Sequence, residues 1–236
     1  MDRPKRRQGR LVQGSQWQCP VVVAACRGLS INCSLCPRLV AYRADNARQN
    51  PGWHNAPALP FGDPDAWLLV VGLAPGRTGA NRTGRVFTGD AAGRRLFGTL
   101  IETGLATGAY RDDGDDDIRL RGVMVTNAVL CAPPGNSPLP AEQANCRPHL
   151  QALIRALPHL KVIVTLGDVA RRNLLKALEA PASGMSGGHG TEAEIAGFRV
   201  INSYHCSRLN LSTGRLTSGR FAGIFHRAQD LGNLHG

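Results

Sequence analysis

Four runs of strand length, rich in apolar and β-branched residues, punctuate the chain at residues 67–73, 122–129, 161–166 and 198–204. Runs with apolar residues on both faces predict strands covered on both sides. Between and after them, apolar positions recur at helical spacing over residues 91–103, 140–157, 168–180 and 216–231, and a further helix is expected over 33–43. This alternation predicts an α/β fold, a three-layer α/β/α sandwich around a mainly parallel four-stranded sheet. In such a sheet the working loops follow the carboxyl ends of the strands. Here those loops read GLAPGRTGANRTGRVFTGD, NAVLCAPPGNSP, TLGD and YHCSRLN.

Outside this pattern, residues 1–28 are basic and aperiodic and read as a mobile tail, leaving residues 29–236 as one domain. A Gly/Pro/Asn-rich connector is expected over residues 46–64. The acidic RDDGDDDIR lacks the ordered spacing of a calcium loop and reads as a solvated insertion. SGMSGGHG, residues 183–190, reads as a flexible connection or lid.

Charge narrows the choice of partners. Lysine and arginine total 28 against 17 carboxylates, a formal net charge of +11 over 236 residues. That excess favours polyanions, since each cation near a phosphate releases a counterion. No apolar run approaches the ~20 residues of a membrane span, and the start lacks a signal-peptide pattern. A cytoplasmic protein without membrane contact is expected. In a reducing compartment its seven cysteines read as metal ligands, core residues or a reactive thiol.

Cys33 and Cys36 form a C-x2-C, and Cys131 and Cys146 form a second cluster far along the chain. A shared centre would clip the N-terminal helix to the sheet, and four thiolates suit tetrahedral zinc or an iron-sulfur cluster. Cys19, Cys26 and Cys206 remain over. The glycine-rich loop after the first strand is no nucleotide cradle. No lysine occurs between residues 53 and 160, so a P-loop is excluded, and GLAPGRTG does not read as G-x-G-x-x-G.

A set of motifs then stands in order: CxxCPRLVA from Cys33, FGDP from Phe61, GLAPG from Gly72, NRTGRxFTGDAxG from Asn81, NAVxCAPPxN from Asn127 and SYHxSRxNxxTGRLT from Ser203. Together they resemble the uracil-DNA glycosylase superfamily, and within it family 5, the broad-specificity iron-sulfur enzymes. The resemblance runs from about Cys33 to Arg227. It implies a monofunctional glycosylase that flips a nucleotide from the duplex and hydrolyses its N-glycosidic bond.

The resemblance also implies roles. Asp90 would orient or activate water and stabilise the cationic sugar, because no residue of GLAPG can act as a base; capping the next helix is its competing reading. His205 would donate to the base oxygen as charge develops there. Asn136 would join this catalytic set by positioning base, sugar or phosphate. Base binding falls to Gly72, Ala74, Phe87 as a stacking face, and Asn127, whose amide suits the imide edge of uracil. Arg77, Arg82 and Arg85 would meet DNA phosphates. Ser207, Arg208 and Asn210 belong to the loop that enters the minor groove, where Arg208 or Leu209 would wedge. A 4Fe-4S cluster on Cys33, Cys36, Cys131 and Cys146 is favoured over zinc. A monomer acting on uracil-containing or otherwise deaminated DNA is expected, at the nucleoid in a prokaryote. A metal-clipped nucleic-acid-binding module without catalysis and a hydrolase of free nucleotides are the competing functions.

Overall fold

The computed structural model describes residues 31–233; the tail expected over residues 1–28, with Cys19 and Cys26, lies outside them. In chain order the elements are α1 (Pro37–Gln49), β1 (Phe61–Gly62), β2 (Leu68–Gly72), α2 (Ala80–Thr83), α3 (Ala91–Glu102), β3 (Ala106–Thr107), β4 (Arg119–Leu120) and β5 (Val123–Asn127). There follow a 3-10 turn (Pro134–Asn136), α4 (Pro140–Ala156), β6 (Val162–Leu166), α5 (Asp168–Ala177), a second 3-10 turn (Ala182–Gly184), β7 (Thr191–Ile195), β8 (Phe198–Ser203), α6 (Arg208–Ser212) and α7 (Ser218–Asn233).

The sheet order is β1-β5-β2-β6-β8-β7. The four expected strands form its parallel centre, β5-β2-β6-β8. Two antiparallel edges, β1 and β7, make the sheet six-stranded instead of four-stranded. Strand alternation divides the core. Leu68 and Val70 of β2 face Phe97 of α3 and Phe221 and Phe225 of α7, while Leu69 and Val71 face Leu153 of α4 and Leu174 of α5. Both faces of the central strands are thereby buried, which is why these runs carry apolar residues at successive positions.

Local signals set the helix ends. Pro37 and Pro140 occupy first-turn positions, where the missing N–H costs nothing. The N-terminal helix accordingly begins at Pro37, not Cys33, and leaves Cys33 and Cys36 in the turn ahead of it. The segment read as a lid is tied down instead. Asn202 donates to Gly188 O at 2.7 Å, Gly190 N donates to Asn202 O at 2.7 Å, and Tyr204 N donates to His189 Nδ1 at 3.3 Å.

Candidate active site

The loops after β2, β5 and β8 enclose a cleft of about 930 Å3 at the carboxyl edge of the sheet. That size is within the range of small-ligand sites. Asp90, His205, Asn127, Phe87 and Ala74 all line it, with Asn136 and Arg208 at its exposed rim.

Its floor is set by the missing side chain of Gly72. A Cβ there would stand 2.4 Å from Asn127 Oδ1 and 2.4 Å from the Phe87 ring, so only glycine lets the amide and the ring lie side by side. Gly72 and Asn127 are register partners at the ends of β2 and β5. Asn127 is 4% exposed, and its carboxamide makes no hydrogen bond among the described residues. The carboxamide borders the cleft, where a ligand can meet its donors and its acceptor. Phe87 takes a left-handed φ of 53°, unusual outside glycine. Gly93 permits the packing of this turn, since a Cβ there would meet Phe87 O at 1.9 Å.

Asp90 divides its oxygens between two tasks. Oδ1 accepts the Gly93 N–H at 2.9 Å and caps α3. Oδ2 faces the first loop: a Cβ on Gly79 would stand 2.6 Å from it, and one on Gly76 3.0 Å. The bare glycines of the loop therefore give Oδ2 its room. The capping and cleft-facing readings of this residue hold together. His205, from the loop after β8, shares the cleft. Burial pushes its imidazole below the ordinary 6.5, against the opposing pull of the Asp90 carboxylate, so the ring is neutral at pH 7 and has one N–H to donate. Asn210 Nδ2 donates to His205 O at 2.8 Å and holds that loop.

Several residues differ from expectation. Arg85 is turned inward, away from the surface a phosphate would meet: it is 4% exposed, and both its terminal nitrogens donate to Asp116 at 2.6 Å. Its Nε donates to Thr88 Oγ1 at 2.7 Å, and its guanidinium lies 5.2 to 5.7 Å from the rings of Phe61, Phe97 and Tyr110. The insertion read as solvated is therefore a buttress. The Asp116 side chain is 0% exposed, Tyr110 Oη accepts the Gly89 N–H at 3.0 Å, and Asp112 pairs with Arg94. Burial would raise the Asp116 carboxyl, but hydrogen bonds from Arg85 and the Arg111 N–H hold it below its ordinary value. Arg82 spends its donors on Thr78 O and Asp112 O. Arg77 lies at the cleft, braced by Asn46 at 2.7 Å and over the Trp53 ring at 5.3 Å. Asn210 is turned inward to His205, and Ser207 caps α6, where Arg208 and Leu209 stand exposed.

Cys33, Cys36, Cys131 and Cys146 border one apolar pocket together with Leu39, Val40 and Leu130. Among the described residues, no three His, Cys, Asp or Glu side chains converge as ligands of a single ion. N–H donors nonetheless point at three of the sulfurs: Leu130 N at Cys146 (3.4 Å), Asn145 Nδ2 at Cys36 (3.5 Å) and Arg43 Nη1 at Cys131 (3.6 Å). Burial pushes the Cys131 thiol up to about 11 and that of Cys146 to about 12. The buried Arg43 has no carboxylate partner among the described residues. Arg43 and His149, which also borders the pocket, carry no motif that would have marked them in the sequence. Arg38 adds a direct tie between α1 and α4 through a two-pronged pair with Glu142, both arms 2.8 Å. Cys206 is separate, fully buried under α3 with its Sγ 3.5 Å from Ala92 O.

A family model described as the uracil DNA glycosylase superfamily matches residues 59–229. A type-5 uracil-DNA glycosylase of Pyrobaculum aerophilum is 43% identical over 202 residues, 84% of this chain and 88% of its own length. One from Thermus thermophilus is 43% identical over 209 residues, 86% of this chain and 94% of its own. A type-4 uracil-DNA glycosylase of Archaeoglobus fulgidus is 30% identical over 149 residues, 61% of this chain and 67% of its own. Matched across residues 59–229 and at 43% identity to relatives along most of their length, the chain belongs to the uracil-DNA glycosylase superfamily.

Proposed function

We propose that this chain removes uracil from DNA by hydrolysing its N-glycosidic bond, leaving an abasic site for base excision repair. The observation that carries the reading is Asp90, whose Oδ1 is committed to the helix while Oδ2 faces a cleft shared with a neutral imidazole. An extruded uracil would stack on Phe87 and meet the free carboxamide of Asn127 with its imide edge, above the gap left by Gly72. As the bond to the sugar lengthens, electrons move onto the base, and the His205 N–H stabilises the developing oxygen charge. Oδ2 of Asp90 stabilises the cationic sugar and accepts a proton from the water that attacks its anomeric carbon. The departing base takes up a proton as it leaves. Among the described residues no lysine lines the cleft, and a Schiff base and strand cleavage are not part of the scheme.

Ala74 leaves the pocket wall small, which supports a range extending to hypoxanthine or ethenocytosine. Asn136 at the rim would steady the nucleotide's sugar or phosphate, and Arg77, Ser207 and Arg208 would meet the DNA. Leu209, 70% exposed on α6, has the apolar surface a wedge requires. Residues 29–236 would form the catalytic unit, working as a monomer on the chromosome, with the basic tail a further DNA contact.

Cys33, Cys36, Cys131 and Cys146 would hold a 4Fe-4S cluster. Four cysteine sulfurs on a shared pocket, donors aimed at three of them and a buried Arg43 without a carboxylate partner among the described residues suit an anionic, multi-iron group better than one zinc drawing all four sulfurs to ~2.3 Å. The cluster supplies a structural brace between the turn before α1 and the proline-rich loop. No redox step enters the hydrolysis.

The test is a base-release panel with uracil, hypoxanthine, ethenocytosine and thymine, each in single- and double-stranded DNA, together with free deoxyuridine nucleotides. Release of uracil from duplex DNA supports the reading. Binding of the duplex without release would favour the non-catalytic module, and turnover of free nucleotides alone would favour a nucleotide hydrolase. A brown protein with visible charge-transfer absorption supports the cluster, and a colourless zinc protein overturns it.

A further inference from the structure

One cationic cluster beside the cleft has no assigned task. Tyr204 opens the segment after β8, one residue before His205. The Arg215 guanidinium lies 4.2 Å from its ring centroid, and that of Arg220 lies 6.0 Å away. Both arginines are exposed, and neither has a carboxylate partner among the described residues. Arg220 Nη1 donates to Arg215 O at 2.9 Å, which fixes one cation to the backbone of the other.

The platform beneath them is rigid. The Tyr204 ring packs on the sheet core, and His189 stands 5.3 Å away, accepting the Tyr204 N–H on Nδ1. Leu216, next to Arg215, is buried, and its N–H donates to Asn210 O at 2.9 Å. Asn210 in turn holds His205, so the pair of arginines, the wedge loop and the base-facing histidine share one scaffold. The ring face and the Arg215 carbonyl hold the two cations together against their mutual repulsion. An anion between or above them removes that repulsion and gains charge-assisted hydrogen bonds from planar donors suited to phosphate oxygens.

We propose that Tyr204, Arg215 and Arg220 form a preorganised clasp for a backbone phosphate of the uracil-bearing strand, beside the extruded nucleotide. The inference rests on the DNA-glycosylase reading for the identity of the anion. The clasp fixes the strand's position and does not read sequence, as phosphate contacts do in general. Binding thus depends on it, while the chemical step, once DNA is saturating, does not.

The experiment compares wild type with Arg215→Gln, Arg220→Gln and the double variant, each in an Asp90→Asn background that prevents turnover. Affinity for a duplex with a single uracil is followed by fluorescence anisotropy across a salt series. Because both arginines meet one phosphate, their joint loss in the double variant should lower the slope of log K against log salt by about 0.9. Between about 50 and about 200 mM salt, the double variant's loss of affinity should then be about 3.5-fold smaller than that of wild type. With Asp90 restored, single-turnover uracil release at saturating DNA should stay within about threefold of wild type, because phosphate positioning acts through binding. An unchanged slope in the double variant overturns the clasp. A collapsed rate at saturation with unchanged slope also overturns it, and assigns these arginines to holding His205. If wild type binds with the full slope but releases no uracil, the clasp stands and the catalytic reading fails.

Discussion

Replacing Asp90 by asparagine and by alanine separates its two oxygens. Asparagine keeps an acceptor where Oδ1 receives the Gly93 N–H, and it ranks with aspartate as an N-cap. Alanine removes the cap, at about 1 kcal/mol, which in a domain of this size lowers Tm by about 2–4 °C. Both variants lose the carboxylate facing Gly76 and Gly79, and with it a base contribution of about 10²- to 10⁴-fold. The expected pattern is therefore asymmetric: equal loss of single-turnover uracil release, but a lowered melting temperature in Asp90→Ala alone. Thermal melting and quenched base release on one preparation measure both. An Asp90→Asn enzyme that retains its rate within about threefold would refute the role of Oδ2, since such a loss is far below the general-base range. Equal melting of the two variants would show that the cap contributes nothing.

Three more outcomes follow from the same geometry. Gly72→Ala sets a Cβ 2.4 Å from both Asn127 Oδ1 and the Phe87 ring, so release of uracil should fall about 10²-fold through misplacement while Tm changes by only a few degrees; an unaltered rate would mean that neither group touches the base. Asp116→Asn leaves Arg85 buried without its charge partner and should cost about 3–5 kcal/mol in denaturant unfolding, with much of it recovered when Arg85→Met is added. Because folding lowers the Asp116 pKa, this stabilisation is complete above the ordinary carboxylate range and is lost as pH falls through the folded value, so the wild type should lose its advantage over Asp116→Asn in acid. Folding also lowers the His205 pKa, so the neutral ring persists until pH drops below 6.5. Uracil release should be level above that point and change only below it, and His205→Gln, which has no titrating ring, should abolish the acid limb at a cost of about 10²- to 10³-fold in rate. The same acid limb in His205→Gln would assign it to another group.

The four central strands and the main helices were legible because burial on both sides leaves runs that periodicity detects. The edges were not. Phe61–Gly62 is too short to show a pattern, and Thr191–Ile195 alternates exposed and buried in the row TEAEI, a signal obscured by its glycine-rich approach. Its turn did carry a mark: Ala196 and Gly197 both have positive φ, joining β7 to β8 through two residues, as tight hairpins require. The motifs of the family resemblance marked the cleft residues Asp90, Phe87, Asn127 and His205; three stand in loops after strands and Asn127 ends one. What sequence could not give is the direction of each oxygen of Asp90, because that depends on how the far end of the same long loop folds back onto the bare backbone of Gly76 and Gly79.

Arg85 marks the limit of reading charge from local sequence. It stands three arginines into a loop that also presents Phe87 and Asp90, so a phosphate contact was the natural expectation. Its partner comes 31 residues later, from an aspartate run whose composition alone suggests solvent. Once folded, that run sorts the cations around the cleft. Asp116 neutralises Arg85 behind Phe87, and Asp112 pairs with Arg94 beside Asp90. Arg77, Arg208, Arg215 and Arg220 have no carboxylate partner among the described residues, and they stand at the cleft or on the adjoining surface. A cationic surface attracts the DNA backbone, while an inner cation paired with an aspartate is not left to bind the Asp90 carboxylate, which in the proposed mechanism meets water and sugar. In the proposed mechanism the acidic insertion would thus separate binding charge from catalytic charge, a sorting that net charge conceals and only the pairing of distant residues reveals.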